Sequence, residues 1–260
     1  MSNILLDISD KGVATLTLNR AKALNALSVE LMTDVRNALA DLAANDEVKA
    51  LVIAANGPAF CAGADLTGAP LGAVAKGEIQ MGDAIADMMQ AHFNPLMQDV
   101  YDFPKPVITA INGIAAGGGA GLALGGDLVV VAKSASLRVV QVSTLGIVAD
   151  LGANWLLPRL VGRSRAMGAC LLGEDIDAQT LLEWGAVWQV TEEDQLLSTA
   201  QTLAAKLGKA PAETVVATRR LIDDASQQGF SASLEDERVA QRKLTNLPVF
   251  FQAVKNFVSR

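Results

Sequence analysis

The chain is poor in the residues that usually carry metal, disulfide and nucleophilic chemistry. It holds one histidine (His92), two cysteines (Cys61 and Cys170) and one tyrosine, and aromatics make up only 4% of its 260 residues. A single histidine excludes a multi-histidine metal centre and weighs against a Ser-His-Asp triad, so no metal is expected. Two cysteines do not make a disulfide framework. Positive charge is also short: 21 Lys and Arg stand against 28 Asp and Glu, for a net charge of -7, with no basic cluster. Nucleic acid is therefore not an expected partner. Glycine or charge interrupts every apolar run before it reaches about 18 residues, so no membrane span is expected. Met1-Ser2-Asn3-Ile4 does not begin a segment of the secretory kind, and the expected compartment is the cytoplasm. What is present is 51% hydrophobic, ample for one large core plus an appendage. Acid–base chemistry then falls mainly to carboxylates.

The patterning predicts an N-terminal hairpin, Ile4–Ile8 and Val13–Leu18, turning at Asp10-Lys11-Gly12. Ser28 is a good N-cap for a helix over 29–45, with Leu31, Val35, Leu39 and Leu42 on one face. The continuous apolar run at 50–54 reads as a buried parallel strand, 107–111 as the next buried strand and 127–132 as another strand. Residues 67–82, rich in Gly, Ala and Pro, read as a mobile loop. A helix over 83–102 ends at Phe103-Pro104-Lys105-Pro106. After residue 153 the chain reads as mostly helical, over 154–160, 162–172, 178–184, 194–207, 211–228, 233–244 and 248–260, with a short strand at 187–190. Strands early and helices late give an α/β class with two unequal regions, 1–195 and 196–260.

Two glycine-rich stretches stand out, Phe60-Cys61-Ala62-Gly63-Ala64-Asp65-Leu66 and Asn112-Gly113-Ile114-Ala115-Ala116-Gly117-Gly118-Gly119-Ala120-Gly121. Each follows a buried-strand run, and the second enters a helical pattern. Two backbone turns of this kind can aim two N–H groups at one point and hold an oxyanion. The alternative is that the glycines of the second stretch only let a helix and a strand pack closely.

These stretches, with Asn19-Arg20-Ala21-Lys22-Ala23-Leu24-Asn25-Ala26-Leu27, Lys105-Pro106-Val107-Ile108-Thr109-Ala110-Ile111, Asp127 and Trp155-Leu156-Leu157-Pro158-Arg159-Leu160-Val161-Gly162-Arg163, resemble the enoyl-CoA hydratase/isomerase (crotonase) family over nearly the whole chain. The resemblance implies a spiral of ββα repeats over 1–195 that binds CoA and carries the chemistry. It also implies a helical C-terminal trimerisation region over 196–260, with a homotrimer or a hexamer built as a dimer of trimers. The implied substrate is an acyl-CoA thioester, with no cofactor beyond the CoA the substrate carries. Carried over by motif, the oxyanion donors fall on Ala64 and Gly118. Residues matching the binding segments are Lys22, Ala23, Ala62, Asp65, Leu66, Gly117, Gln141 and Phe257.

The chain departs from the family's hydratases at both of their glutamates. Gly121 stands at the first position, and the nearest counterpart of the second is Gln141. The spacing from Leu137 to Gly146 is one residue longer than in those relatives, so the register at Gln141 is open. No carboxylate lies between Asp127 and Asp150 in any register. Hydration needs a base for water and an acid for the α-carbon, and neither Gly121 nor Gln141 can serve. Asp150, in Gly146-Ile147-Val148-Ala149-Asp150-Leu151-Gly152-Ala153-Asn154-Trp155, resembles the aspartate that moves the proton in isomerases of the family. Ala149, Ala153 and Asn154 replace residues usual in that segment. Ala115-Ala116-Gly117, Leu122-Ala123-Leu124-Gly125-Gly126-Asp127, Glu183-Trp184-Gly185 and Trp188-Gln189-Val190 resemble the phenylacetate-pathway 1,2-epoxyphenylacetyl-CoA isomerase subgroup. Asp150 could instead cap the following helix.

The expectation is an acyl-CoA isomerase that moves a proton and double bond, or expands a ring epoxide, through an enolate. Alternatives are an atypical hydratase using water bound by Gln141 and a non-catalytic acyl-CoA-binding member. Asp65 reads as either a turn tie or a substrate contact, Lys22 as a solvated or a CoA-facing side chain. His92, Cys61 and the helix-face pair Asp83 and Asp87 read more simply as packing or surface residues, and the three tryptophans as core.

Overall fold

The computed structural model describes residues 2–68 and 71–259. Strands β1 (Ile4–Ile8), β2 (Val13–Leu18), β3 (Ala50–Ala55), β5 (Val107–Ile111), β7 (Leu128–Ala132) and β10 (Gln189–Thr191) form a six-stranded sheet in that order. Short strands β4 (Ala59–Cys61), β6 (Ile114–Ala116), β8 (Ser136–Arg138) and β9 (Ile176–Asp177) form a second sheet of four. Among the described residues only the β1–β2 and β8–β9 pairs are antiparallel. Each repeat therefore gives one strand to each sheet: β3 then β4, β5 then β6, β7 then β8. This is the crotonase-like spiral. β3 and β5 are buried along almost their whole lengths, which is why both read as unbroken apolar runs. The small strands are only two or three residues long, too short to show a period in the sequence.

Helix α1 (Val29–Ala44) is capped at its start by Ser28, whose hydroxyl accepts from the Leu31 N–H at 3.2 Å. At its other end the buried Lys105 ammonium donates to the Leu42 and Asn45 carbonyls, each at 2.7 Å. A cation there satisfies carbonyls that the helix leaves open. The segment read as a mobile loop contains α2 (Leu71–Ala75); Ala69 and Pro70 within it lie outside the described residues. The next helix is not continuous. α3 (Met81–Met88) and α4 (Asn94–Tyr101) are joined by a π-helical segment, Met89–Phe93. Pro95 lacks an N–H, and the Asn94 N–H reaches back five residues to the Met89 carbonyl.

α5 (Gly118–Ala123) follows β6, and α6 (Ala153–Leu172) follows β8. α6 breaks at Gly162, where φ is 77°, close to the boundary the sequence predicts. α7 (Ala178–Trp184) leads to β10, and α8 (Leu196–Leu207) lies on the large sheet with Leu196, Ala200 and Ala204 buried. α9 (Ala212–Ala225), α10 (Phe230–Leu244) and α11 (Pro248–Val258) bury no side chain of their own. No helix among the described residues is long and apolar enough to cross a membrane.

One guanidinium ties α9 to the core. Arg219 donates to both oxygens of Asp127, at 2.6 and 2.8 Å, and to the carbonyls of Tyr101, Phe103 and Lys105. Asp127 also accepts from the Val107 N–H at 2.7 Å. The two charged side chains are only 12% and 16% exposed, so removing one strands the other. Arg219→Met is expected to lower unfolding stability by about 3–5 kcal/mol, read as a fall in the urea midpoint; a loss below about 1 kcal/mol would place this contact among ordinary surface pairs.

Candidate active site

Strands β4, β6 and β8 are parallel neighbours, so their carboxyl ends share one edge of the small sheet. From that edge emerge Ala62-Gly63-Ala64, Gly117-Gly118 and, two residues after β8, Val140-Gln141. Three successive repeats thus deliver three backbone turns to one place.

The first turn is stitched to the segment 19–27. Ala62 N–H donates to the Leu24 carbonyl at 3.0 Å, Leu27 N–H to Gly63 at 2.8 Å, and Asp65 N–H to Leu27 at 3.1 Å. Leu24 and Asn25 adopt left-handed φ values of 50° and 55°. Asn25 is fully buried, and its amide donates to the Asn56 and Ala59 carbonyls, each at 2.9 Å. Leu27 bonds the residues on either side of Ala64, so the Ala64 N–H points away from it. Gly63 has φ 95°, and a Cβ there would lie 2.9 Å from the Ala116 carbonyl and 3.1 Å from the Gly118 nitrogen. The two turns are in direct contact. Among the described hydrogen bonds, neither the Ala64 nor the Gly118 N–H meets an acceptor.

The second glycine run divides by residue between turn and packing. Gly117 (φ 55°, ψ −126°) makes a turn that L side chains rarely adopt, and Gly118 opens the first turn of α5, where N–H groups lack partners. Gly119 and Gly121 are packing glycines. A Cβ at Gly119 would lie 2.2 Å from the Cys61 carbonyl, and one at Gly121 only 2.1 Å from the Leu151 carbonyl.

Asp150-Leu151-Gly152 forms the opposite wall. Leu151, 2% exposed, has φ 46°, a left-handed conformation costing roughly 1–2 kcal/mol in a non-glycine residue. It is held by its burial and by bonds on both sides, from Asn154 Nδ2 to the Ala149 carbonyl at 2.6 Å and from the Ala153 N–H to Asp150 at 3.0 Å. This turn lays the Leu151 carbonyl on Gly121 and brings Asp150 Oδ1 to 3.3 Å from where a Cβ on Gly118 would stand. The Asp150 carboxylate therefore lies beside the Gly118 end of α5. It does not cap α6: Gly152 holds the cap position, with no side-chain bond.

Gln141, 3% exposed, donates from Nε2 to Asp150 Oδ1 at 2.8 Å. Its Oε1 is buried without a partner among the described residues. Burial pushes the Asp150 carboxyl above its ordinary value, and the Gln141 hydrogen bond opposes that shift. Such a carboxylate is a stronger base than an exposed one. Ile147, Val148 and Leu145, exposed on the segment leading to Asp150, supply an apolar rim.

The other sequence candidates fall in three places. Ala62 and Gly117 lie in the two turns themselves. Lys22 and Ala23 are exposed in a short 3-10 turn, Ala21–Ala23, on the segment stitched to the first turn, and Leu66 is exposed just beyond it. Asp65 is tied down by Thr67, whose hydroxyl bonds Oδ1 at 2.6 Å, and by Arg20 at 3.0 Å on Oδ2. Those bonds lower its carboxyl, the Thr67 bond most, and the residue serves as a turn tie. Phe257, 79% exposed on α11, is not brought to the site by this chain. His92 is half-buried in the π-helical segment. Asp83 and Asp87 are exposed. Burial pushes the Cys61 thiol up to about 12, which leaves it a packing residue. Of the tryptophans, Trp188 is exposed, Trp155 is half-buried with Arg159 against its ring, and Trp184 is half-buried, packed on the edge of the core with Arg165 near its ring. What sequence reading missed is Asn25 as the buckle of the first turn and Leu151 as the residue facing Gly121.

A family model described as enoyl-CoA hydratase/isomerase matches residues 9–258. A 1,2-epoxyphenylacetyl-CoA isomerase of Escherichia coli is 36% identical over 260 residues, covering 100% of this chain and 97% of the relative. A probable enoyl-CoA hydratase of Rhodobacter capsulatus is 32% identical, covering 99% and 95%. The crystal structure of an enoyl-CoA hydratase from Bacillus anthracis matches with a TM-score of 0.88 at 29% identity, covering 99% of this chain and 96% of that one.

Two outcomes follow from the geometry. Gly121→Ala would drive a methyl into the Leu151 carbonyl; it is expected to cost about 3 kcal/mol in denaturant unfolding, and a variant as stable as wild type would contradict the close approach. Asp150→Asn should stabilise the fold at neutral pH. With the folded carboxyl raised above its ordinary 3.8, the folded state binds the proton more tightly, so stability falls as pH rises through that window. Thermal melts should show the Asn variant ahead at pH 7, with the gain shrinking toward about pH 4; equal melts throughout would contradict it.

Proposed function

The chain belongs to the enoyl-CoA hydratase/isomerase family, and within it we propose an acyl-CoA isomerase with one working carboxylate. The observation that carries this reading is the Leu151 carbonyl packed on Gly121, which sets Asp150 beside the Gly118 N–H, unpartnered among the described residues. The thioester oxygen of the substrate would lie between the Ala64 and Gly118 N–H groups. Asp150 would take a proton from the α- or γ-carbon, and the electron pair would move onto the thioester oxygen as an enolate. Donors fixed before the reaction stabilise that charge without reorganising, each worth roughly 3–4 kcal/mol of barrier. The same carboxylate would return the proton at another carbon, so the double bond shifts and the atom count is unchanged. For a ring epoxide the same pair would promote ring expansion, a substrate class favoured by the E. coli relative's name.

Adding water would need a second acid or base. Gly121 has no side chain, and the Gln141 amide neither donates nor accepts a proton near neutral pH. Lys22, Ala23, Ala62, Leu66 and Gly117 lie on or near the two turns and are proposed to contact the CoA chain. The exposed apolar residues of α9–α11, among them Phe250, Phe251 and Phe257, support assembly into a homotrimer or a dimer of trimers, with Phe257 reaching CoA across subunits.

The test is a panel of 3-enoyl-, 2-enoyl- and epoxyphenylacetyl-CoA with wild type and Asp150→Asn. Wild type is expected to isomerise at least one of them without incorporating solvent oxygen, and Asp150→Asn to lose about a thousandfold in kcat. Fast hydration of 2-enoyl-CoA that survives Asp150→Asn would sink the reading in favour of a hydratase. Tight thioester binding without α-proton exchange in deuterated water would leave only a binding protein.

A further inference from the structure

Gln141 does more than fill the place of a missing acid. It follows β8 and opens a π-helical turn, Gln141–Leu145, which ends at left-handed Gly146 (φ 67°). A π turn holds one residue more than an α turn and is common at functional sites. The chain makes this turn between Leu137 and Gly146. Within it the Gln141 side chain is buried and its Nε2 reaches Asp150 Oδ1 at 2.8 Å. No other side chain donates to the Asp150 carboxylate among the described residues.

The amide is half satisfied. Its Oε1 is buried with no donor among the described residues, an arrangement that destabilises a fold. A residue kept for packing alone would better be Met or Leu, which fill similar volume and leave nothing orphaned. The unpaired oxygen therefore points to a role for the other end of the amide, the one on Asp150.

We propose that Gln141 is the positioning residue of the base: its Nε2, bonded to Oδ1, holds the Asp150 carboxylate beside the Gly118 end of α5 for proton exchange with the substrate. This rests on the isomerase reading above. A glutamine suits the task because it donates a hydrogen bond yet does not titrate near neutral pH, so the orientation holds whether or not Asp150 carries the proton. It also favours the ionised carboxylate against the effect of burial.

The experiment compares wild type, Gln141→Met, Gln141→Glu and Asp150→Asn, using the acyl-CoA that wild type turns over best. Gln141→Met is expected to melt at or above the wild-type temperature, since the orphaned oxygen goes. Its kcat is expected to fall about tenfold or more with KM little changed, and the acid limb of its kcat–pH profile to move to higher pH. Gln141→Glu, which places a second carboxylate beside the first, should move that limb further the same way and remains informative if the Met variant does not fold. A folded Gln141→Met with wild-type kcat and an unmoved acid limb overturns the proposal while a dead Asp150→Asn leaves the base reading standing. An active Asp150→Asn overturns both.

Discussion

Main chain touches main chain at the centre of this protein, and most of its other features depend on the side chains missing there. Gly63 lies against Ala116 and Gly118, Gly119 against the Cys61 carbonyl, and Gly121 against the Leu151 carbonyl. At each contact a single methyl group would force the backbones apart. The short parallel strands of the small sheet bring the turns to one edge, but only glycine lets them meet. The segment 19–27 then locks the first turn through three backbone bonds and the buried Asn25 amide.

The same constraint links structure to reaction. An open Gly121 would merely lack a carboxylate; here the gap is occupied by a strained turn. Leu151 accepts a left-handed conformation, and in exchange Asp150 is carried to the Gly118 end of α5. Glycine at 121 therefore brings no side chain of its own and leaves the room that this turn fills. The neutral Gln141 amide completes the arrangement by bonding the carboxylate without competing for its proton.

Much of this was legible in the sequence, for physical reasons that can be named. β3 and β5 announce themselves because a strand buried on both faces must be apolar throughout. Ser28 and the kink at Gly162 are visible because caps and left-handed turns demand particular residues. The two glycine stretches stand out for the same reason, and Asp150 as the first carboxylate after Asp127. Other features leave no local mark. The strands β4, β6 and β8 are too short to carry a period. Leu151 in a left-handed turn contradicts its own preference, and only its tertiary partner Gly121 explains it. The Gln141–Asp150 bond spans nine residues across a π turn that no sequence pattern fixes. Trp155 misleads because its size suggests core, whereas its flat face here takes Arg159.

The two N–H groups left open at Ala64 and Gly118 belong to the polypeptide itself. A change of side chain at either position leaves the donor in place, proline excepted, since every other residue brings the same N–H. The groups that would choose among reactions, Asp150 and Gln141, are by contrast ordinary side chains, each replaceable in a single step. The two tasks would thus rest on different parts of the chain: the hold on negative charge on backbone that the surrounding glycines shape, the movement of protons on side chains. Such a scaffold can drift toward a new reaction without first losing its hold on the old intermediate.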